Sequence, residues 1–408
     1  MSRESKAITG CVQAGLIDDC PQEKVFRLHR NAYVAPEIFD LEMDIFFQQG
    51  WFYVGHESQI ASPGDFMQVS PLGRPMILCR DQEGIIRLLY NRCRHRGAMV
   101  CTAKSGNRRS FVCPYHGWAY KNSGELMAVP DREGYADDFS MEQLGLTAVE
   151  RVASYRGFIF AGLASSKVSL EDYLGNARLY LDAVMDKYPA FTVQKAKSSY
   201  GYVGNWKMQV ENTLDYYHLP FVHRTFFDMR RKHGEPTKTD FAEMRKEHAL
   251  YLGGGHGTVV TMEESGAIFQ HLLIFPNLVV LEKPAPQIRV IWPEAVARTR
   301  VEGWCFTDAS DNEAARTKKF RDYELFYGAT GFGTPDDIQI FDSCSRGYQI
   351  PESPWNDLSR GMNREFNTLE DQRFPPFEVG GSISDDTIYR GLYRYLSQVL
   401  NDNKKVSE

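Results

Sequence analysis

Two short stretches pair a cysteine with a histidine: Cys93-Arg94-His95 and, after seventeen intervening residues, Cys113-Pro114-Tyr115-His116. Two thiolates and two imidazoles make a four-ligand metal site. The chemistries open to them are a structural zinc ion and a [2Fe–2S] centre with two cysteines on one iron and two histidines on the other. Zinc modules usually keep two cysteines together in at least one half. Here each half carries one of each type, as a cluster with two chemically different irons requires. Gly97 and Gly117 follow the pairs and let the backbone turn tightly, so that amides can point at sulfur. Cys101, close by, reads as a structural thiol.

A second constellation lies in Asn205–His223, NWKMQVENTLDYYHLPFVH. Read as a helix interrupted near Pro220, it places Glu211, Asp215 and His218 on one face. His223 follows five residues after His218, about 140° away on an unbroken helix, so a break at Pro220 is needed to bring both imidazoles to one ion. Two histidines and a carboxylate on one triangular face form a non-haem Fe(II) site with open positions for O2 and substrate. The carboxylate must come from elsewhere in the chain, and Thr334-Pro335-Asp336-Asp337 offers two. The same four residues also read as an ordinary helix start, with Thr334 as N-cap and Pro335 at the first position. Local sequence does not choose between Asp336 and Asp337.

The elements that must position these residues divide the chain. A lead-in over residues 1–47 contains a short helix around Pro36–Gln48. Short β-type runs then follow (PMILCR, GIIRLLY, RSFVCPY, YRGFIFAGL), separated by turn residues at the spacing of a small β-sandwich. A helix starts at Ser169 with an S-x-x-D cap and an apolar stripe through Tyr173, Ala177, Tyr180 and Val184. Residues 198–204 read as a strand, and 224–256 as a long polar excursion over a mouth. The runs AIFQHLLIFPNLVVLEK, PQIRVIWP and ARTRVEGWCF predict an antiparallel sheet with one buried face. Helices over 312–327, from Pro335, and over DTIYRGLYRYLSQVL complete an α+β second part.

Composition bounds the rest. The 408 residues suffice for two or three domains, and 43% hydrophobic with 25% charged residues is a globular balance. The net charge of −6 and the lack of a basic stripe argue against nucleic acid as partner. No apolar run reaches membrane-span length, and the N-terminus carries no apolar signal region, which places the chain in the cytoplasm. Eight cysteines in such a chain do not form a disulfide framework.

The motifs C-R-H-R-G, C-P-Y-H-G-W, N-W-K, E-N and D-Y-Y-H…H, with I-F-P-N-L and the late Asp-Asp, occur in this order along most of the chain from about residue 45. Together they resemble the α (large) subunit of Rieske non-haem iron ring-hydroxylating oxygenases. The resemblance implies an N-terminal Rieske β-sandwich domain over 48–165 and a helix-grip catalytic domain over 166–408, with the 1–47 lead-in packed on the latter. It implies that Cys93, His95, Cys113 and His116 hold a [2Fe–2S] Rieske cluster and that His218, His223 and Asp337 ligate a mononuclear Fe(II). Asp215 would bridge His218 to His116 of the partner subunit in a head-to-tail homotrimer, and Glu211 would extend that polar path. A small β subunit could accompany the trimer. The chain has no G-x-G-x-x-G fingerprint or flavin signature, so electrons come from a separate ferredoxin and/or NADH-dependent reductase.

The expected reaction is hydroxylation, foremost cis-dihydroxylation, of an aromatic ring with O2, and an aromatic carboxylate is the expected substrate. Arg289, Arg298 and Arg390 are three candidate anchors for its charge. Monohydroxylation or oxidative demethylation would use the same iron chemistry. An electron carrier or a zinc-stabilised binding module would leave His218 and His223 without a metal.

Overall fold

The computed structural model describes residues 15–407 apart from Pro236, Lys238, Glu264 and Ser265, so the first part of the lead-in lies outside the described residues. The chain forms two compact units. One comprises Ile45–Leu170 with Thr192–Lys195; the other takes in the remaining segments. Among the described residues no helix is long and apolar enough to cross a membrane.

The smaller unit is built from three small antiparallel sheets. Arg151–Tyr155, Phe158–Gly162 and Phe52–His56 make one; Ser110–Val112, Ala119–Lys121 and Leu126–Ala128 make another. Ile86–Tyr90, Met76–Arg80, Asp65–Val69 and Ser105–Asn107 form the four-stranded third. Phe66, Ile77, Leu89, Phe111, Trp118 and Tyr120 project into a common core. The strands expected from the sequence are present. Only one of the two cysteine–histidine loops is a hairpin tip, that between Ser110–Val112 and Ala119–Lys121. The other joins two strands of the four-stranded sheet that are not neighbours.

The larger unit is organised on an eight-stranded antiparallel sheet, except that residues Thr192–Lys195 of the first strand count with the smaller unit. Its strands are β1 (Phe191–Val203), β2 (His248–Gly253), β3 (His256–Glu263), β4 (Gly266–Ile274), β5 (Leu278–Leu281), β6 (Gln287–Ala295), β7 (Arg298–Asp308) and β8 (Val379–Ser382). Their spatial order is β1-β7-β6-β5-β4-β3-β2-β8. The expected single buried face does not hold in the middle of the sheet: β5 is buried at every residue and β6 over its first seven, because these strands are covered on both faces. The main helices are α1 (Trp206–Leu214), α2 (Leu219–Val222), α3 (Arg224–Lys232), α4 (Glu313–Tyr327), α5 (Thr334–Gly347) and α6 (Thr387–Ser407). α1 lies across β4 and β6, and α6 across β2 and β8.

Four further expectations need correction. The helix opening at Asn205 ends at Leu214, well before Pro220. Asp215 stops it: its residue turns to extended φ/ψ, and its Oδ1 accepts from Tyr217 N at 2.7 Å, a local bond that competes with helical continuation. Pro220 instead is the second residue of α2, in the first turn, where a missing N–H costs nothing. The helix expected from Ser169 is two pieces, Leu170–Leu174 and Ala177–Met185, parted at Gly175 with φ +48°. Thr334 is not the N-cap of α5; Gly333 holds that place, and the Thr334 hydroxyl bonds Tyr327 O. Finally, the stretch 224–256 is no open excursion. It contains α3, a short helix Phe241–Met244 and β2, and its glycine run is the tight turn from β2 to β3. All three of Gly253, Gly254 and Gly255 have positive φ, which only glycine adopts cheaply.

The N-terminal segment is tied to α1 by a buried ion pair. Lys207 Nζ and Glu42 lie 2.7 Å apart, and Trp206 Nε1 donates to Glu42 Oε2 at 2.9 Å.

Candidate active site

The two cysteine–histidine loops share one backbone design. Cys93 N donates to Ala98 O and Gly97 N to Cys93 O, at 2.8 and 3.0 Å. Cys113 N donates to Trp118 O and Gly117 N to Cys113 O, again at 2.8 and 3.0 Å. Gly97 and Gly117 have φ of +81° and +72°, so the left-handed turn that closes each loop requires glycine. Both cysteines are buried, while His95 is exposed and His116 half-buried. The His95 and His116 rings stand 4.6 Å apart, and His95 stacks on Trp118 at 5.1 Å. Burial and the neighbouring Cys93 raise the Tyr120 phenol, so it stays protonated; its oxygen lies 3.2 Å from Cys93 Sγ and accepts from Arg94 N. A thiolate at Cys93 therefore has a donor waiting for it. Sulfurs set inward and imidazoles set outward fit a two-iron cluster, with a different ligand pair on each iron, better than one tetrahedral ion.

In the larger unit α1, α2, α3 and α5 converge on a second group. His218 is the N-cap residue of α2, and His223 occupies the break between α2 and α3, with φ −99° and ψ 28°. One turn of helix, Leu219–Val222, thus separates them. Asp337 sits in the first turn of α5. His218 Nε2 lies 3.3 Å from His223 Nε2 and 3.7 Å from Asp337 Oδ1, and His223 Nε2 lies 3.2 Å from Asp337 Oδ1. For metal–ligand bonds of about 2.1 Å, ligands at right angles stand about 3 Å apart, so the triangle suits one octahedral face. Among the described residues it is the group of three such side chains whose ligand atoms gather within 4.8 Å.

Carboxylates stand behind both imidazoles. Asp215 Oδ2 is 3.3 Å from His218 Nδ1, and Asp336 Oδ2 is 3.5 Å from His223 Nδ1. Burial alone would lower the His218 pKa, but Asp215 and Asp337 outweigh it and the net shift is upward. Burial would likewise raise Asp337; the hydrogen bond and charge of His223, with His218 and Arg289 adding to them, hold that carboxyl below its ordinary range. Asn212, on α1, donates from Nδ2 to Asp337 Oδ1 at 3.0 Å and stands 3.4 Å from His218 Nε2. Sequence reasoning missed Asn212, although it lies in the E-N pair of the motif, one turn before Asp215.

Glu211 makes no hydrogen bond or ion pair with the triangle. Its Oε1 accepts from Tyr33 OH at 2.8 Å and is also bonded by Tyr393 OH. Of the three arginines, Arg298 is exposed and paired with Glu294. Arg390 is buried, held by Glu365 and by the carbonyls of Leu358 and Arg360. Arg289 is buried on β6, within reach of α1 through Thr213.

Residues 50–155 match the model of the Rieske [2Fe-2S] domain, and 184–354 that of the ring hydroxylating alpha subunit catalytic domain. The large subunit of 2-halobenzoate 1,2-dioxygenase from Burkholderia cepacia is 32% identical, over 94% of this chain and 91% of its own length. The chain belongs to the ring-hydroxylating oxygenase alpha-subunit family. The large subunit of anthranilate 1,2-dioxygenase from Acinetobacter baylyi is 31% identical over 96% of this chain and 93% of that one. Among solved structures, naphthalene 1,2-dioxygenase from Rhodococcus sp. superposes with a TM-score of 0.84 at 25% identity, covering 98% of both chains. The ring-hydroxylating oxygenases carry a Rieske [2Fe–2S] cluster and a mononuclear non-haem iron, and these are the cofactors of this chain.

Proposed function

We propose that the chain is the catalytic large subunit of an oxygenase that cis-dihydroxylates the ring of an aromatic carboxylate with O2. The observation that carries this reading is the triangle of His218 Nε2, His223 Nε2 and Asp337 Oδ1. Three ligand atoms on one face leave the opposite positions for O2 and substrate. Cys93, His95, Cys113 and His116 would hold the Rieske cluster. When bound, the two metal centres supply stepwise electron delivery and O2 activation.

The chain's own residues supply the geometry. Asp215 and Asp336 orient the two imidazoles from behind, as outer carboxylates do at metal-ligating histidines. Asn212 fixes Asp337 by a hydrogen bond to the oxygen that faces the histidines. Phe326 packs edge-on against His223 at 5.2 Å and Phe226 against Phe326 at 4.8 Å, which keeps water from that side of the ring.

An aromatic acid as substrate is supported by the relatives named for 2-halobenzoate and anthranilate. A separate ferredoxin and/or NADH-dependent reductase supplies electrons in this proposal. The working assembly is a homotrimer in which Asp215 meets His116 of the partner subunit, and the relatives' designation as large subunits supports a small companion subunit. The test is turnover with a reconstituted donor chain under labelled O2. Benzoate, 2-chlorobenzoate and anthranilate should each give products holding two labelled oxygens on adjacent ring carbons. A single labelled oxygen, or loss of a methyl group from a methylated substrate in place of ring attack, would overturn the dihydroxylation reading.

A further inference from the structure

Arg289 is a buried cation with no carboxylate in contact with it. It lies in β6 opposite Gly303 of β7 and retains 5% of its surface. Its Nε donates to Gln287 Oε1 at 3.0 Å and its Nη1 to Thr213 Oγ1 at 3.2 Å. The guanidinium carbon stands 5.3 Å from the centre of the Tyr327 ring. These partners are all neutral. Among the described residues no carboxylate pairs with Arg289, and its Nη2 has no protein acceptor.

The other buried cations of this unit are treated differently: Lys207 rests on Glu42 and Arg390 on Glu365. Withdrawing a guanidinium from water is strongly unfavourable unless an anion compensates it. The carboxylate within its electrostatic reach, Asp337, is hydrogen-bonded and ion-paired to His223 and His218, so the contact anion that Arg289 lacks is one a ligand can supply.

The location agrees. Thr213, which holds Nη1, directly follows Asn212, which holds Asp337. Tyr200 and Tyr327 lie within electrostatic reach of both Arg289 and Asp337. The arginine is also held in place. A Cβ at position 303 would come within 2.7 Å of Gln287 Nε2 and 2.9 Å of Tyr323 OH, so the glycine opposite leaves room for the Gln287 side chain that fixes Nε. Nη2 and the second hydrogen of Nη1 then form a fork of the kind that grips a carboxylate through two parallel bonds.

We propose that Arg289 anchors the carboxylate of a single-ring aromatic acid beside the metal ligands and selects acids over neutral hydrocarbons. The proposal rests on the ring-hydroxylating reading and deepens it. Family membership leaves this point open, since the chain resembles dioxygenases named for benzoates and one named for naphthalene.

The experiment is calorimetric binding of benzoate, and of its neutral analogue benzamide, to the anaerobic holoenzyme. Wild-type protein should favour benzoate by about 10-fold or more, and Arg289→Gln should lose about 10- to 100-fold of benzoate affinity with benzamide little changed. Arg289→Lys should fall between, because an ammonium keeps the charge without the fork. Equal weakening of both ligands in Arg289→Gln would show that the side chain only supports Tyr327 and overturn the anchor. Unchanged benzoate binding would overturn it as well. If Arg289→Gln fails to assemble its cluster, the wild-type comparison decides, and equal binding of benzoate and benzamide refutes selection by charge. A wild-type enzyme that hydroxylates naphthalene and no benzoate would remove the aromatic-acid reading itself, an outcome distinct from loss of the anchor alone.

Discussion

Asp336 and Asp337, neighbours in the chain, address opposite nitrogens of one imidazole. Asp337 Oδ1 lies 3.2 Å from His223 Nε2, and Asp336 Oδ2 lies 3.5 Å from His223 Nδ1. The first turn of α5 thus brackets His223, with one carboxylate on the side where a metal would bind and the other behind the ring. Asp336 is 43% exposed at its side chain against 13% for Asp337, which separates a supporting role from a ligand role.

Asp337→Ala is expected to abolish the mononuclear iron while leaving the Rieske absorption intact. Asp336→Asn should keep that iron but weaken its retention by about 10-fold, the usual effect of losing an outer carboxylate. Iron analysis after dialysis against a graded chelator series checks both. Loss of the metal in the Asp336 variant and retention in the Asp337 variant would reverse the assignment.

Asp215→Asn keeps the side chain's shape and the acceptor for Tyr217 N, so both metals and the assembly should survive. It removes the charge behind His218. Oxidation of the pre-reduced cluster by O2 in the presence of substrate, followed in a single turnover, should slow by at least about 10-fold. A wild-type rate would make Asp215 a turn residue and nothing more.

The Lys207–Glu42 pair sets a stability prediction. Both residues are 1% exposed, and Lys207→Met would strand a buried carboxylate at a cost of about 3–5 kcal/mol. Adding Glu42→Gln should recover most of that loss, because the amide oxygen can still accept from Trp206 Nε1. Thermal unfolding of the single and double variants measures it, and a double variant no more stable than the single would refute the account.

Glu211 gives the fold a pH dependence. Burial pushes its carboxyl up to about 7, against the pull of Tyr393, Tyr33 and Lys207, while Asp215 adds to the rise. The folded state therefore holds this proton more tightly than the unfolded chain, whose ordinary value is 4.5. The stabilisation is complete below that value and is lost as pH rises through about 7. Glu211→Gln should remove the slope, so that the variant gains on wild type in unfolding temperature between about pH 5 and about pH 8. Parallel pH profiles for the two proteins would show that Glu211 does not titrate in this range.

Much of this was legible in the sequence because the chemistry restricts residue type. A two-iron cluster with unlike irons would take one cysteine and one histidine from each loop, and a tight turn after each pair suits glycine, so Cys93–Gly97 and Cys113–Gly117 stood out as its candidates. The β-runs of both units were equally plain, as short apolar stretches set between turn residues. The end of α1 was not. A helix reading continues through Asp215, and only the bond from its own side chain to Tyr217 N stops it. The order of Asp336 and Asp337 depends on the angle at which α5 approaches His223, which no local spacing encodes. Arg289, Arg298 and Arg390 look alike as letters; their difference lies in whether Glu294 and Glu365 reach the latter two. Glu42 and Lys207 are too far apart in the chain for any periodicity to pair them.

The single turn of α2 acts as a ruler. It holds four residues between the N-cap histidine and the histidine at the break, and each residue of a helix rotates the next by about 100°. Lengthening or shortening it by one would swing His223 off the triangle by more than a quarter-turn, an error no side-chain rotamer can absorb. The segments on either side lack this arithmetic: the part of α1 before Asp215 and the body of α3 can vary in length without changing the angle between the two imidazoles. Attempts to graft this centre onto another scaffold would therefore do best to carry Asp215–Arg224 as one indivisible cassette and leave the joins outside it.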